Sequence, residues 1–79
     1  MKIELKLYAS LASHMPEKTS GNPWIVEARE GITIREFLEH LKVPTDAVKI
    51  MFLNGVHAKD NEILNEGDRL GLFPSIAGG

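Results

Sequence analysis

The chain has 79 residues, no cysteine and a formal net charge of −2: short enough for one domain, near the size at which a single core barely suffices, and without disulfides, thiolate metal sites or thiol nucleophiles. With 43% hydrophobic and 25% charged residues it has the composition of a folded globular protein rather than a disordered one. Its nine Lys and Arg residues are scattered among acids, so it has no cationic stripe of the kind that displaces counterions from nucleic acid.

The first segment, Met1-Lys2-Ile3-Glu4-Leu5-Lys6-Leu7, alternates charged and apolar residues. A period of two predicts a half-buried strand ending near Tyr8. The same alternation breaks up the apolar stretch that a signal peptide or membrane span requires, so the expectation is a cytoplasmic protein without membrane contact. Ala9 to Asn22 reads as a connection holding one helical turn over Ala9–Ser13. The turn formers Thr19 to Pro23 then lead into a second extended run, Trp24 to Arg29.

After the Glu30-Gly31 turn, Thr33 and Glu36 stand three apart as a capping box. Ile34, Phe37, Leu38 and Leu41 follow at the spacing of one apolar helix face. Pro44 bars a longer helix. Val48–Leu53 is the third predicted strand, Asn54-Gly55 a tight-turn signal, and Val56–Ala58 a short return strand. Asp60–Glu66 is polar, with Ile63 and Leu64 as its expected anchors. Glu66-Gly67-Asp68 forms a turn before the last strand, Arg69–Pro74, in which Leu70 and Leu72 face inward. One helix among several strands predicts an α+β layer, a mixed four- to five-stranded sheet with the helix across one face. A β-grasp arrangement, with the first and last strands parallel at the centre, fits that order.

Ordinary catalytic constellations are missing. His14, His40 and His57 lack metal-ligand spacing and are expected at the surface. Ser10, Ser13, Ser20 and Ser75 lack a nucleophile elbow, and Gly67 and Gly71 form no phosphate cradle. An enzyme acting alone is not expected, and no cofactor or metal is assigned to the chain.

The C-terminal Ser75-Ile76-Ala77-Gly78-Gly79 stands apart. A closing Gly-Gly pair arises by chance in about one protein in 200, so it is a candidate functional feature. Glycines enter narrow slots and adopt backbone angles closed to other residues. The terminal carboxylate is then the group presented, and adenylation would turn that poor electrophile into an acyl donor. Residues 1–74 are thus expected to form the domain and 75–79 a flexible tail reaching about 17 Å when extended. Strand parity points Tyr8 and Phe73 outward at the root of that tail, a candidate docking hot spot. His57, just past the turn, is a candidate for its rim.

Lys2 to Leu11 (KIELKLYASL), the helix ITIREFLEHL, the turn LNG and the ending EGDRLGLFPSIAGG together resemble the ubiquitin-like sulfur carriers of the MoaD/ThiS type. Within that group they look most like the small subunit of molybdopterin synthase. The resemblance implies a non-catalytic carrier whose Gly79 carboxylate is activated by an ATP-using, MoeB-like adenylating enzyme and converted by a sulfur donor to a thiocarboxylate. A large, MoaE-like synthase subunit would then take up the tail, with Gly78 giving a slim approach and Pro74, Ser75, Ile76 and Ala77 in contact. The sulfur would build the dithiolene of molybdopterin. The short segment Lys42–Ala47 and the Ile-Ala-Gly-Gly ending also suit carriers of the thiamine type. A carrier for thiazole or another thiolation pathway, and a ubiquitin-like protein modifier, therefore remain as alternatives.

Overall fold

The computed structural model describes residues 1–15 and 23–75. Five strands form one sheet in the order β2-β1-β5-β3-β4: β1 is Lys2–Leu7, β2 Trp24–Glu27, β3 Val48–Leu53, β4 Val56–Ala58 and β5 Arg69–Pro74. β1 and β5 run parallel side by side at the centre, Leu5 opposite Leu70 and Leu7 opposite Leu72. The neighbouring pairs β1–β2, β3–β4 and β3–β5 are antiparallel. With the single α-helix, α1 (Ile34–His40), this is the β-grasp arrangement expected from the element order.

Alternation decides which face of the sheet is dry. Ile3, Leu5 and Leu7 of β1 and Leu70 and Leu72 of β5 are buried, packed with Ile34, Phe37 and Leu38 of α1 and with Leu64. Burying each such side chain contributes about 1.5–3 kcal/mol. The opposite face carries Glu4, Lys6, Arg69, Gly71 and Phe73 and is left open.

The second extended run is shorter than expected. β2 stops at Glu27, opposite Lys2 at the start of β1, and the Ala28 amide beyond it donates to the Met1 carbonyl at 2.8 Å. Leu64 is buried as an anchor, but Ile63 is 55% exposed. The backbone there is extended, with Ile63 bridging to Thr33 and the Leu64 amide donating to Ile32, so successive side chains point to opposite sides and only one reaches the core.

The capping box forms as the sequence predicts. The Glu36 amide donates to the Thr33 hydroxyl at 3.2 Å, and the Thr33 amide donates to the Glu36 carboxylate at 3.0 Å. That amide first, then the Thr33 hydroxyl and Arg29, hold the Glu36 carboxyl below the ordinary glutamate range. A lowered folded-state value stabilises the native protein above the ordinary glutamate range, and the contribution fades as pH falls through the lowered value. Thr33→Ala should cost about 1 kcal/mol of stability, and Glu36→Gln should flatten the acid limb of the stability curve. Urea titrations across the acid range check both; an unchanged acid limb in Glu36→Gln would contradict the assignment.

Asn54 and Gly55 join β3 to β4 with φ of 53° and 83°, the pair of positive values that a tight hairpin turn of the I′ type needs. The Asn54 side chain also ties that turn to the start of β5, accepting from the Arg69 amide at 2.9 Å and donating to Asp68 at 3.0 Å. Gly67, at φ 80°, makes the turn before β5 and donates its amide to the Lys2 carbonyl at 2.8 Å.

Candidate functional site

Tyr8 and Phe73, the two aromatics that parity points outward, stack face to face on the open side of the sheet. Their ring centroids are 4.3 Å apart and the planes are 3° from parallel. The Tyr8 amide extends the β1–β5 ladder by donating to Leu72 at 3.0 Å, which fixes the ring beside its partner. The next residue, Ala9, has a left-handed backbone at φ 53°, an uncommon state for a residue with a Cβ. It turns the chain off the sheet into a 3₁₀ helix over Ala9–His14. Pro74 ends β5, and Ser75 is the last described residue beyond it.

Sequence reasoning missed the residue that links this pair to His57. Phe52 of β3 presents its edge to Phe73, with centroids 5.8 Å apart at 88°, and meets the exposed His57 ring at 5.9 Å and 72°. His57 therefore sits on the rim through Phe52 rather than against the stacked pair. A signal was available: a two-residue turn at Asn54-Gly55 pairs Leu53 with Val56 and Phe52 with His57. Ile50, 37% exposed and opposite Phe73, also joins the surface. It keeps the register of Phe52, two residues on along the same face; the irregularity, which inserts Lys49 as an extra residue, falls before it and displaces Val48.

The resulting surface is a ridge of Tyr8, Phe73 and Phe52 between two hollows. One, of about 580 Å³, lies at the tail root and is lined among others by Ala9, Ile50, Phe52, Phe73, Pro74 and Ser75. The other, of about 330 Å³, lies over Gly71 and extends toward Lys6, Arg69 and Glu4. Glu4 and Arg69 pair across β1 and β5 at 3.5 Å, and the Lys6 ammonium lies 5.8 Å from the Tyr8 ring centre, within cation–π range. Ile76, Ala77, Gly78 and Gly79, assigned from sequence to partner contact and to the reactive end, lie outside the described residues.

His14 and His40 are exposed, and neither lines the two hollows. Among the described residues no three His, Asp or Glu side chains converge as a metal site would require. None of the described helices is long and apolar enough to cross a membrane.

The model of the ThiS family matches residues 15–79, four-fifths of the sequence and the C-terminal glycines with it. The chain belongs to the ThiS family. That agrees with the resemblance to ubiquitin-like sulfur carriers read from its motifs. Among solved structures, this ThiS-family chain is similar to SAMP1 of Haloferax volcanii, at 26% identity over 100% of both chains with a TM-score of 0.71. A putative molybdopterin converting factor subunit 1 from Pyrococcus furiosus shares the fold at 21% identity, covering 96% of this chain and 99% of its own, with a TM-score of 0.71. Subunit 1 in the complex of subunits 1 and 2 of the molybdopterin-converting factor from Helicobacter pylori shares it at 20% identity over 100% of both chains, with a TM-score of 0.60. No curated protein matches the sequence.

Proposed function

We propose that this chain carries sulfur as a thiocarboxylate on Gly79 and delivers it for molybdopterin dithiolene formation as the small subunit of a synthase. The observation that carries the reading is the stacked Tyr8–Phe73 pair beside Pro74 and Ser75, an aromatic docking surface at the root of a Gly-Gly-ending segment. Binding energy at such a surface lets a partner hold the domain while the slim end enters its active site. The Gly79 carboxylate would attack the α-phosphate of ATP on an adenylating partner, releasing pyrophosphate. A sulfur nucleophile would then displace AMP to leave the thiocarboxylate. Acids and bases for these steps belong to the partners; this chain supplies the reactive end, the docking face and no cofactor site.

The Helicobacter pylori likeness supports a second subunit as recipient, since that structure is a complex of subunits 1 and 2. The adenylating enzyme and the sulfur donor follow from the chemistry of a carboxylate, which accepts sulfur only after activation. The likeness to SAMP1 favours a second reading, in which the same adenylate passes to amines of other proteins. A likeness at 24% identity to the H. volcanii small archaeal modifier protein 1 points the same way.

Intact mass spectrometry of protein taken from its native cells separates the two. A chain ending at Gly79 with one oxygen replaced by sulfur supports the carrier. A ladder of conjugates bearing this chain on lysines, without thiocarboxylate, overturns it in favour of the modifier. Co-purification with a larger subunit that makes molybdopterin from a pterin precursor tests the pathway.

A further inference from the structure

Among the described residues, three other than glycine have a left-handed backbone: Ala9, Lys42 and Asn54. Two of them are explained by their places. Asn54 sits in the hairpin turn, and a short polar side chain tolerates that state. Lys42 follows the end of α1, its amide donating to Glu39 at 3.1 Å and the Val43 amide to Leu38 at 3.0 Å, a bond pattern with which helices commonly close. Ala9 has neither setting. The fold needs its backbone state, because the turn closed by the Leu11 amide on the Tyr8 carbonyl at 3.1 Å leads Leu11 into the core. The fold does not need its methyl. Glycine takes a positive φ without steric cost, and the chain uses it so at Gly31, Gly55 and Gly67. Ala9 is exposed and belongs neither to the core nor to the residues packed against it. In the free protein the methyl therefore costs stability and adds nothing to the core. It does line the hollow of about 580 Å³ at the tail root, beside Ile50, Phe52, Phe73, Pro74 and Ser75.

We infer that the Ala9 methyl is a contact for the adenylating enzyme, which seats an apolar side chain in the tail-root hollow while it activates Gly79. The inference rests on the activation step proposed above. The length of chain beyond the hollow selects this occupant. Ser75 lines the hollow, and four residues, Ile76 to Gly79, carry the chain from there to the reacting carboxylate. Extended, they span about 13–14 Å. An enzyme that encloses that carboxylate and ATP away from water therefore has its own surface over the hollow. The carrier and the modifier readings both pass through the adenylate, so this contact is required whichever recipient follows. The lining sets the occupant's character: rings, proline and aliphatic carbon offer dispersion contact and few hydrogen bonds. A methyl on a fixed turn has no rotamer freedom to lose, so its burial in a complex carries no ordering cost.

The test uses the full chain as the varied substrate of the purified adenylating enzyme of the same organism, with pyrophosphate release from ATP as the readout. Ala9→Gly should melt higher than the parent, since relief of the left-handed backbone outweighs the added freedom of the unfolded chain. Its KM should nonetheless rise about fourfold with kcat unchanged, the loss expected for one buried carbon. Ala9→Asn tolerates the same backbone and places an amide in the hollow, so it should fold like the parent and raise KM by about tenfold. A role in folding alone would lower the melting temperature of Ala9→Gly and leave KM where it was. If both variants fold and keep the parent's KM while Phe73→Arg raises it, the Ala9 contact is wrong and the docking face stands. If Phe73→Arg also keeps the parent's KM, the docking face falls with it. An unchanged KM beside weakened binding to the large synthase subunit, measured by calorimetric titration, would assign the hollow to that subunit and overturn the choice of occupant. No pyrophosphate release with the parent chain would sink the activation step itself.

Discussion

Deleting Gly79 should abolish acquisition of sulfur while the domain melts where the full chain does. The described core lies upstream of that end: every buried hydrophobic residue among those described lies between Ile3 and Leu72, and the ladder of β5 closes at Pro74. The shortened chain still ends in a carboxylate, on Gly78, so chemistry alone does not forbid activation. Position does. One residue of extended chain spans about 3.3–3.6 Å, and a displacement of only about 1 Å from the reacting geometry costs on the order of 100-fold in rate. The truncated protein, incubated with ATP, the adenylating enzyme and a sulfide source, should therefore show no thiocarboxylate by intact mass, with a melting curve superimposable on the parent's. Gly79→Ala keeps the length and adds a Cβ where a narrow channel is expected, so it should be charged slowly rather than not at all. Full charging of the truncated chain would remove the proposed role of Gly79.

Much of this surface is legible in the sequence because the sheet converts parity into direction. Alternation in Ile3, Leu5 and Leu7 fixes the inward set of β1 and so turns Tyr8 outward; Leu70 and Leu72 do the same for Phe73. Thr33 with Glu36 marks the helix start through a bond pattern that only those side chains supply. Parity fails where one residue is inserted. The run Val48-Lys49-Ile50-Met51-Phe52-Leu53 gives no clean alternation, because Ile50 to Leu53 are apolar on both faces and Lys49 is an extra residue that displaces Val48 relative to β5. Counting back from the Asn54-Gly55 turn recovers Phe52, since the turn sets the pairing from that end. The left-handed backbone of Ala9 leaves no mark in the sequence, because nothing in alanine favours it. Gly71 reads from sequence only as failing to form a phosphate cradle.

The placement of polar groups explains why the open face suits transient docking better than a permanent subunit core. The aromatic ridge is continuous with charged residues on β1 and β5, and no described side-chain polar atom is buried without a partner. Separation from a partner therefore leaves each polar group paired or in water, and the free domain bears no large desolvation penalty. A carrier must leave one partner to reach the next, which an interface of modest apolar centre and polar rim permits.

Phe73→Arg should lower affinity for the tail's recipients by about 100-fold, the range of a central hot spot, with the fold retained. Phe73 lines both hollows and forms the wall between them, so a change there alters the whole ridge. The substitution removes a stacked contact with Tyr8 and an edge contact with Phe52, each worth about 0.5–1.5 kcal/mol beyond burial. Part of that returns to the free domain, because a guanidinium also lies well against the Tyr8 face. Nothing returns to the complex, where the same guanidinium must be stripped of water against an apolar surface. Stability should thus drop by about 1–2 kcal/mol while binding drops further, and that difference is the signature of an interface residue. Ile25→Arg provides the contrast. Ile25 is 54% exposed on the same face but belongs to the edge strand β2, opposite Glu4 and away from the tail root. It should leave affinity unchanged within about twofold. Equal losses for Phe73→Arg and Ile25→Arg would mean that the partner reads the whole face by charge alone, and the aromatic ridge would have no special part in docking.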